Sequence, residues 1–170
     1  MHRQLCSVAL FALMAGIGSS TAQQPTQTTR SSKPLHVTSI ALAQVSDWCD
    51  GYCSIRLVVS DENAVLTMSA INEKDKYPEL IVKSDISAKR WKSLTQAVDR
   101  QALLALPDVV GCPGCADQPI EAIEVHFSDG QSKSVMYNFK RAPVSLSALQ
   151  EQLSSLEAKL AREIPPRWIK

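Results

Sequence analysis

The chain has few of the residues on which hydrolases and phosphate-binding enzymes depend. It contains three histidines in 170 residues and six glycines, two of which lie in an apolar N-terminal stretch. A serine or cysteine hydrolase needs a nucleophile, a histidine and an orienting acid, and phosphate loops are rich in glycine. Beyond the N-terminal stretch, His36 begins a strand and His126 alternates with Glu124 on the polar side of another. The sequence therefore indicates neither class of enzyme.

An excess of charge of one sign is also missing. Lysine and arginine together number 18 and aspartate and glutamate 17, and Arg3 is the one charged residue among the first 22. The remainder of the chain therefore has a net charge of about zero. Nucleic acids and anionic lipids attract proteins through a basic excess or a basic face. We expect neither as a partner.

Long apolar runs are absent as well, and the longest one has the features of a signal peptide. Residues 5–18 are apolar except for one serine, which is shorter than the about 20 residues that span a bilayer. A positive charge at Arg3 precedes this run and the small residues Ser20, Thr21 and Ala22 follow it. This pattern is typical of a secretory signal peptide. We predict cleavage after Ala22, a periplasmic or secreted protein, and no membrane insertion.

Three segments follow from this interpretation. Residues 1–22 form the signal peptide, residues 23–33 a lead-in, and residues 34–170 a single domain. The lead-in has no apolar side chain to bury except a proline, so we expect it to be disordered. Cleavage removes Cys6, whose position at the front of the apolar run argues against a lipid anchor, and an even set of four cysteines remains.

Two periodicities predict the fold of the domain. Alternating or β-branched apolar residues are typical of strands, and we assign these to residues 35–45, 54–60, 64–71, 80–83, 120–127 and 134–139. Spacings of three and four residues predict helices. One helix, capped by Ser87 and ended by Pro107, has its apolar face at Trp91, Leu94, Val98, Ala102 and Ala105. The last helix carries a leucine stripe at Leu146, Leu149, Leu153, Leu156 and Leu160.

These elements predict an α+β domain, with an antiparallel sheet and two helices in the order β-β-β-(β)-α-β-β-α. A leucine stripe can form the seam of a dimer or face the core of a monomer. Short isolated helices gain little stability on their own. We therefore expect the stripe to face the core and the protein to be a monomer.

The four remaining cysteines form two close pairs, Cys49 with Cys53 and Cys112 with Cys115. In an oxidising compartment such pairs are disulfides by default. A bridge between the two pairs would remove more entropy from the unfolded chain than local closure does. Gly51 and Gly114 lie inside the pairs and permit the tight turn that local closure needs. We favour the two local disulfides.

Two other interpretations of the cysteines remain open. The spacing of Cys112 and Cys115 is that of thiol oxidoreductases, in which a helix N-terminus acidifies the first thiol. However, a strand follows this motif instead of a long helix. Four thiolates could also hold zinc, but an exported protein would oxidise them first. We expect no metal and no cofactor.

Four short motifs give the chain a resemblance to a known family. They are the Cys-x-Gly-x-Cys loop at residues 49–53, Leu106-Pro107-Asp108 after the first helix, Asp117-Gln118-Pro119, and the C-terminal Arg167-Trp168-Ile169. In these motifs the chain resembles a family of exported bacterial domains of unknown function, over roughly residues 37–169. The resemblance implies a fold and a compartment, and it implies no activity.

The loop around the first cysteine pair is the candidate binding surface. Asp47 and Asp50 flank Trp48, and Tyr52 follows, so two acids and two aromatics lie beside a rigidifying bridge. Braced loops of this kind often present binding contacts. We predict a non-enzymatic binding module for an unknown protein or small ligand of the cell envelope. The alternative is a thiol oxidoreductase that uses Cys112 and Cys115 for catalysis.

The export prediction can be checked directly on the protein isolated from its cell. Because Ser20, Thr21 and Ala22 end the apolar run, signal peptidase should cleave there. N-terminal sequencing of the exported protein should begin at Gln23 or within a few residues of it. Soluble cytoplasmic protein that retains Met1 would contradict the prediction.

Overall fold

The computed structural model describes residues 35–46 and 49–164 of the chain. The predicted signal peptide and lead-in lie outside these residues. So do Asp47 and Trp48 of the candidate binding loop and the C-terminal motif at residues 167–169.

A single sheet of seven strands dominates the described part of the chain, in the order β4-β3-β2-β1-β6-β7-β5. The strands are β1 Val37–Val45, β2 Ser54–Val59, β3 Asn63–Ser69, β4 Leu80–Asp85, β5 Val109–Val110, β6 Ile120–Phe127 and β7 Ser132–Asn138. All neighbouring strands pair antiparallel except β5, which runs parallel to β7. The predicted α+β class with a mainly antiparallel sheet is confirmed.

The number of helices was predicted wrongly, since residues 35–46 and 49–164 contain three α-helices instead of two. They are α1 Ala88–Gln96, α2 Arg100–Ala105 and α3 Val144–Ala161. The single helix predicted through Trp91 and Ala105 is interrupted at Asp99, whose backbone is extended and whose carboxylate accepts the amide of Ala102 at 3.0 Å. Aspartate is among the best N-cap residues. It therefore begins a new helix where the apolar periodicity alone suggests that one helix continues.

The short strand β5 was also not predicted. Two residues are too few to show an alternating pattern. The backbone nitrogen of Met136 donates to the carbonyl of Asp108 at 2.8 Å, just before β5 begins. This pairing with β7 fixes the course of the chain immediately before the second cysteine pair.

The core lies between one face of the sheet and the helices. Ile123, Val125 and Phe127 of β6 are buried, as their alternation predicts. The stripe of α3 faces this core: its five leucines are all buried. The helix packs against β1, β3 and β4 and against both shorter helices. Within the described residues, no helix combines the length and the apolar character that crossing a membrane requires.

Truncation of a leucine in α3 tests this packing. Leu153 is fully buried, so Leu153→Ala should lower the free energy of unfolding by about 2 to 5 kcal/mol through lost contacts and a cavity. Val144, at the start of the same helix, is 94% exposed, and Val144→Ala should change the free energy by less than about 0.5 kcal/mol. Urea denaturation of the three proteins measures both values. Equal effects of the two substitutions would contradict the packing.

Candidate functional site

The two cysteine loops lie at the same end of the sheet. Val45, at the end of β1, pairs with Ser54 at the start of β2 and with Ile120 at the start of β6. Asn138, at the end of β7, pairs with Ile120 from the other side. The first loop connects β1 to β2 at this end. The second follows β5, which runs parallel to β7 and therefore ends at the same end of the sheet. We call this end of the sheet, with loops 49–53 and 112–115, the cysteine-loop end.

The first loop is closed upon itself and held against a neighbouring turn. Cys49 and Cys53 are at disulfide distance, with Cα atoms 5.6 Å apart. Gly51 has a φ of 105°, a conformation that favours glycine. The Tyr52 hydroxyl donates to the carbonyl of Pro78 at 3.0 Å, and its ring meets that of Tyr77 edge to face at 5.8 Å. These contacts fix the loop at several points.

The second loop is anchored by the side chain of Asn138, which no sequence motif singles out. Cys112 and Cys115 are also at disulfide distance, with Cα atoms 5.6 Å apart. The side-chain amide of Asn138 donates to the carbonyl of Cys112 at 2.8 Å and accepts the Cys112 amide at 3.1 Å. Gly111 has a φ of 78°, and a Cβ atom there would collide with the Asn138 side chain. The close approach therefore requires glycine at this position.

A small pocket lies beside the first loop at the cysteine-loop end. Its volume is about 130 Å³, and its lining includes the Cys49–Cys53 pair, Gln44, Tyr52, Pro119 and Phe139. Pockets that hold cofactors or drug-sized ligands measure about 300 to 1,000 Å³. This one therefore suits a single side chain or a small chemical group, with aromatic rings and one amide available for contact.

Behind Gln44 lies a pair of carboxyl groups that the sequence analysis missed. The side-chain nitrogen of Gln44 is 2.9 Å from Oε2 of Glu157 and 3.4 Å from Oε1 of Glu121, and it donates to both. The backbone nitrogen of Lys140 donates to the other oxygen of Glu121 at 2.8 Å. Glu121 is fully buried. The alternating pattern of the strand could have revealed the burial of Glu121. This residue precedes Ile123 by two positions and so lies on the same core-facing side of the strand.

Burial controls the protonation of this pair. Removal from water raises the pKa of Glu121, and hydrogen bonds from the Lys140 backbone, Gln150 and Gln44 oppose this effect. Burial and the nearby charge of Glu121 raise the pKa of Glu157 to about 7. Tyr137, which pairs with Glu121 across the strands, has its pKa raised by burial and by the same charge.

The hydroxyl of Tyr137 is the most unusual polar atom near the carboxyl pair. It is buried and has no hydrogen-bond partner within the part of the chain that the structure describes. A buried hydroxyl without a partner is costly. The polar cluster therefore includes a buried hydroxyl whose hydrogen-bonding capacity is unmet.

The structure describes two of the four predicted binding residues, Asp50 and Tyr52, and both contact Tyr77. Asp47 and Trp48 lie outside the described residues. Asp50 is exposed and accepts a hydrogen bond from the Tyr77 hydroxyl at 3.4 Å. Tyr52 is half-buried, packs against the core and lines the pocket. Tyr52 therefore packs against the core and also contributes to the surface of the pocket.

Neither of the two described histidines lines the pocket at the cysteine-loop end. The Nε2 atom of His126 lies 2.8 Å from Glu124, which also pairs with Arg56 at 2.8 Å. The hydrogen bond from Arg56 lowers the pKa of Glu124. Within residues 35–46 and 49–164, no group of three or more His, Cys, Asp or Glu side chains could hold a metal ion.

A larger cavity lies elsewhere, away from both cysteine loops. It is an open groove of about 400 Å³ where the end of β4 meets α1 and α3, and Asp85, Arg90 and Lys159 contribute to its lining. The guanidinium of Arg90 already donates to the carbonyl of Gln152 at 2.7 Å. Asp85 offsets one of the two basic charges, so the lining keeps a single net positive charge. The cysteine-loop end remains the better candidate.

Comparisons with known protein families and with curated proteins find no match to this chain. The resemblance to exported bacterial domains therefore stays a prediction that rests on short motifs.

Proposed function

We propose that the chain is an exported, non-enzymatic binding module whose cysteine-loop end contacts its ligand or partner. One observation carries this proposal: two loops with cysteines at disulfide distance lie at the same end of the sheet, and a pocket lined by Tyr52 and Phe139 lies beside the first of them. Loops at the end of a rigid scaffold commonly carry binding residues. Aromatic side chains are enriched among the residues that dominate binding energy.

The bracing of the loops supports binding on entropic grounds. A flexible loop loses conformational freedom when it binds, and this loss weakens the affinity. The first loop is already fixed by the Cys49–Cys53 pair and by the hydrogen bond from Tyr52 to Pro78. Asn138 fixes the second loop with two hydrogen bonds. Binding to this end would therefore order little additional chain.

The size of the pocket restricts the ligand. At about 130 Å³ it can enclose one side chain or a small group, so a partner would insert one residue and spread the remaining contacts over the loops. An export signal would place that partner in the cell envelope or outside the cell. A protein with an exposed apolar or aromatic side chain fits this description best.

The alternative function is thiol oxidation or reduction by the second cysteine pair. The exposure of both Cys112 and Cys115 favours it, since a catalytic thiol must be reached by its substrate. The local structure argues against it. Cys115 begins a single turn of 3-10 helix, and Cys112 lies two residues before that turn's cap at Gly114. A full helix N-terminus, which lowers the pKa of catalytic thiols, is not found at Cys112 in the described structure.

Partner capture tests the proposed binding surface. Immobilised mature protein should retain an envelope component from the exporting cell, and Phe139→Ala should reduce retention by about tenfold or more, as loss of an aromatic anchor does. Met136→Ala is the matched control, because Met136 is an exposed apolar residue three positions away on β7 and outside the pocket lining. It should leave retention unchanged.

Thermal melts of both variants should first establish that they fold. If folded Phe139→Ala retains the component as well as the wild type does, or if Met136→Ala abolishes retention, the cysteine-loop end is not the binding surface.

Replacement of the second cysteine pair distinguishes the two functions. Closure of so short a loop stabilises the folded chain by at most about 2 kcal/mol, so Cys112→Ser with Cys115→Ser should lower the thermal midpoint modestly. The wild type should reduce insulin no faster than a protein-free control. Turnover that disappears in the double variant would establish the oxidoreductase instead.

A further inference from the structure

Two carboxyl groups from different layers of the fold share a single amide. Gln44 belongs to β1, Glu121 to β6 and Glu157 to α3, so the sheet and the helix meet at one side-chain nitrogen. An amide nitrogen carries two hydrogens and can satisfy one oxygen of each carboxyl group. This arrangement joins the second half of α3 to the middle of the sheet.

The charge of the pair depends on one proton. Two ionised carboxylates in a partly dry site repel each other, and a single shared proton removes this repulsion. Glu121 is fully buried and receives a second hydrogen bond from the backbone of Lys140. Glu157 is only half-buried, and it receives one hydrogen bond from Gln44. The exchangeable proton is therefore best placed on Glu157.

Among the residues that the structure describes, two charged groups act on Glu157. From the sheet, Glu121 raises its pKa, and Lys140, which follows β7, lowers it. Lys140 is exposed, so water screens much of its charge. Tyr137 of β7 faces Glu121 as a buried neutral group, and Gln150 of α3 bonds to Glu121 without adding charge. Nothing in this surrounding set fully balances a second negative charge.

We propose that Glu121 and Glu157 form a proton-operated latch between α3 and the sheet. With one proton in the pair, Gln44 holds both carboxyl groups and the C-terminal half of α3 stays attached to β1 and β6. When the proton leaves, repulsion between the two carboxylates loosens this half of the helix. Buried Leu153, Leu156 and Leu160 keep this half packed on the core, so the loosening lowers its local stability without releasing it. Leu146 and Leu149, in the first half of α3, lie about two or more helical turns from Glu157 and are unaffected.

The raised pKa of Glu157 determines how the stability of the latch changes with pH. In the folded protein the pKa of Glu157 lies near 7, whereas in the unfolded chain it has the ordinary value near 4.5. Between these values the folded protein holds a proton that the unfolded chain has released. The stabilisation is therefore complete below about pH 4.5 and is lost as the pH rises through about 7.

Hydrogen exchange of α3 tests the latch in the wild-type protein and in Glu157→Gln. Between about pH 5 and about pH 8.5, protection factors of the wild-type amides from Glu157 to Ala161 should fall by about tenfold or more, while those around Leu149 stay constant. Glu157→Gln keeps an oxygen for Gln44 and cannot ionise, so its protection should not change with pH. Glu151→Gln, on the exposed side of the same helix, should behave as the wild type does.

Carboxyl carbon NMR of the wild type supplies a test that needs no variant. The Glu157 resonance should titrate near neutral pH, well above the ordinary pKa of 4.5. A Glu157 midpoint near that ordinary value would overturn the proposal. So would equal pH profiles in the wild type and Glu157→Gln, or a loss of protection that spreads evenly over all of α3.

Discussion

The register of β1 between β2 and β6 is the constraint on which the rest of the molecule depends. It places Gln44 opposite Glu121 and Val45 opposite both Ser54 and Ile120. A shift of one residue would turn every side chain of β1 to the other face. Glu121 would then lose the amide that neutralises part of its burial cost. The same register places the starts of β2 and β6 at one end of the sheet. Both cysteine loops precede these strands and so lie at that end.

The polar cluster at Gln44 is an exception within an otherwise apolar core. Two residues before Gln44, Leu42 is almost completely buried among other aliphatic side chains. A carboxyl group in such surroundings is tolerated when it is hydrogen-bonded or protonated. Hydrogen bonds stabilise Glu121 in the core, and Glu157 can take up a proton near neutral pH. Gln44 also lines the pocket. The same side chain therefore binds the carboxyl pair and forms part of the candidate binding surface.

The sequence predicted the elements that have a long and regular pattern. The alternation of β6 and the leucine stripe of α3 extend over enough residues to identify both the element and its buried face. The break between α1 and α2 was missed because one capping aspartate outweighs an apolar spacing that continues across it. The site was found only in part. Loops 49–53 and 112–115 stand out by their cysteines, whereas Gln44, Glu121 and Glu157 meet only after the sheet and helix have packed.

Three consecutive residues connect the features of the cysteine-loop end. Asn138 holds the second cysteine loop, Phe139 lines the pocket, and the backbone of Lys140 donates to Glu121. Lys140 adopts a φ of 55°, which is uncommon for a residue other than glycine. Such a conformation persists where the surroundings hold it, and here the hydrogen bond to Glu121 does so. Displacement at any one of the three residues would therefore reach the loop, the pocket and the buried carboxyl pair together.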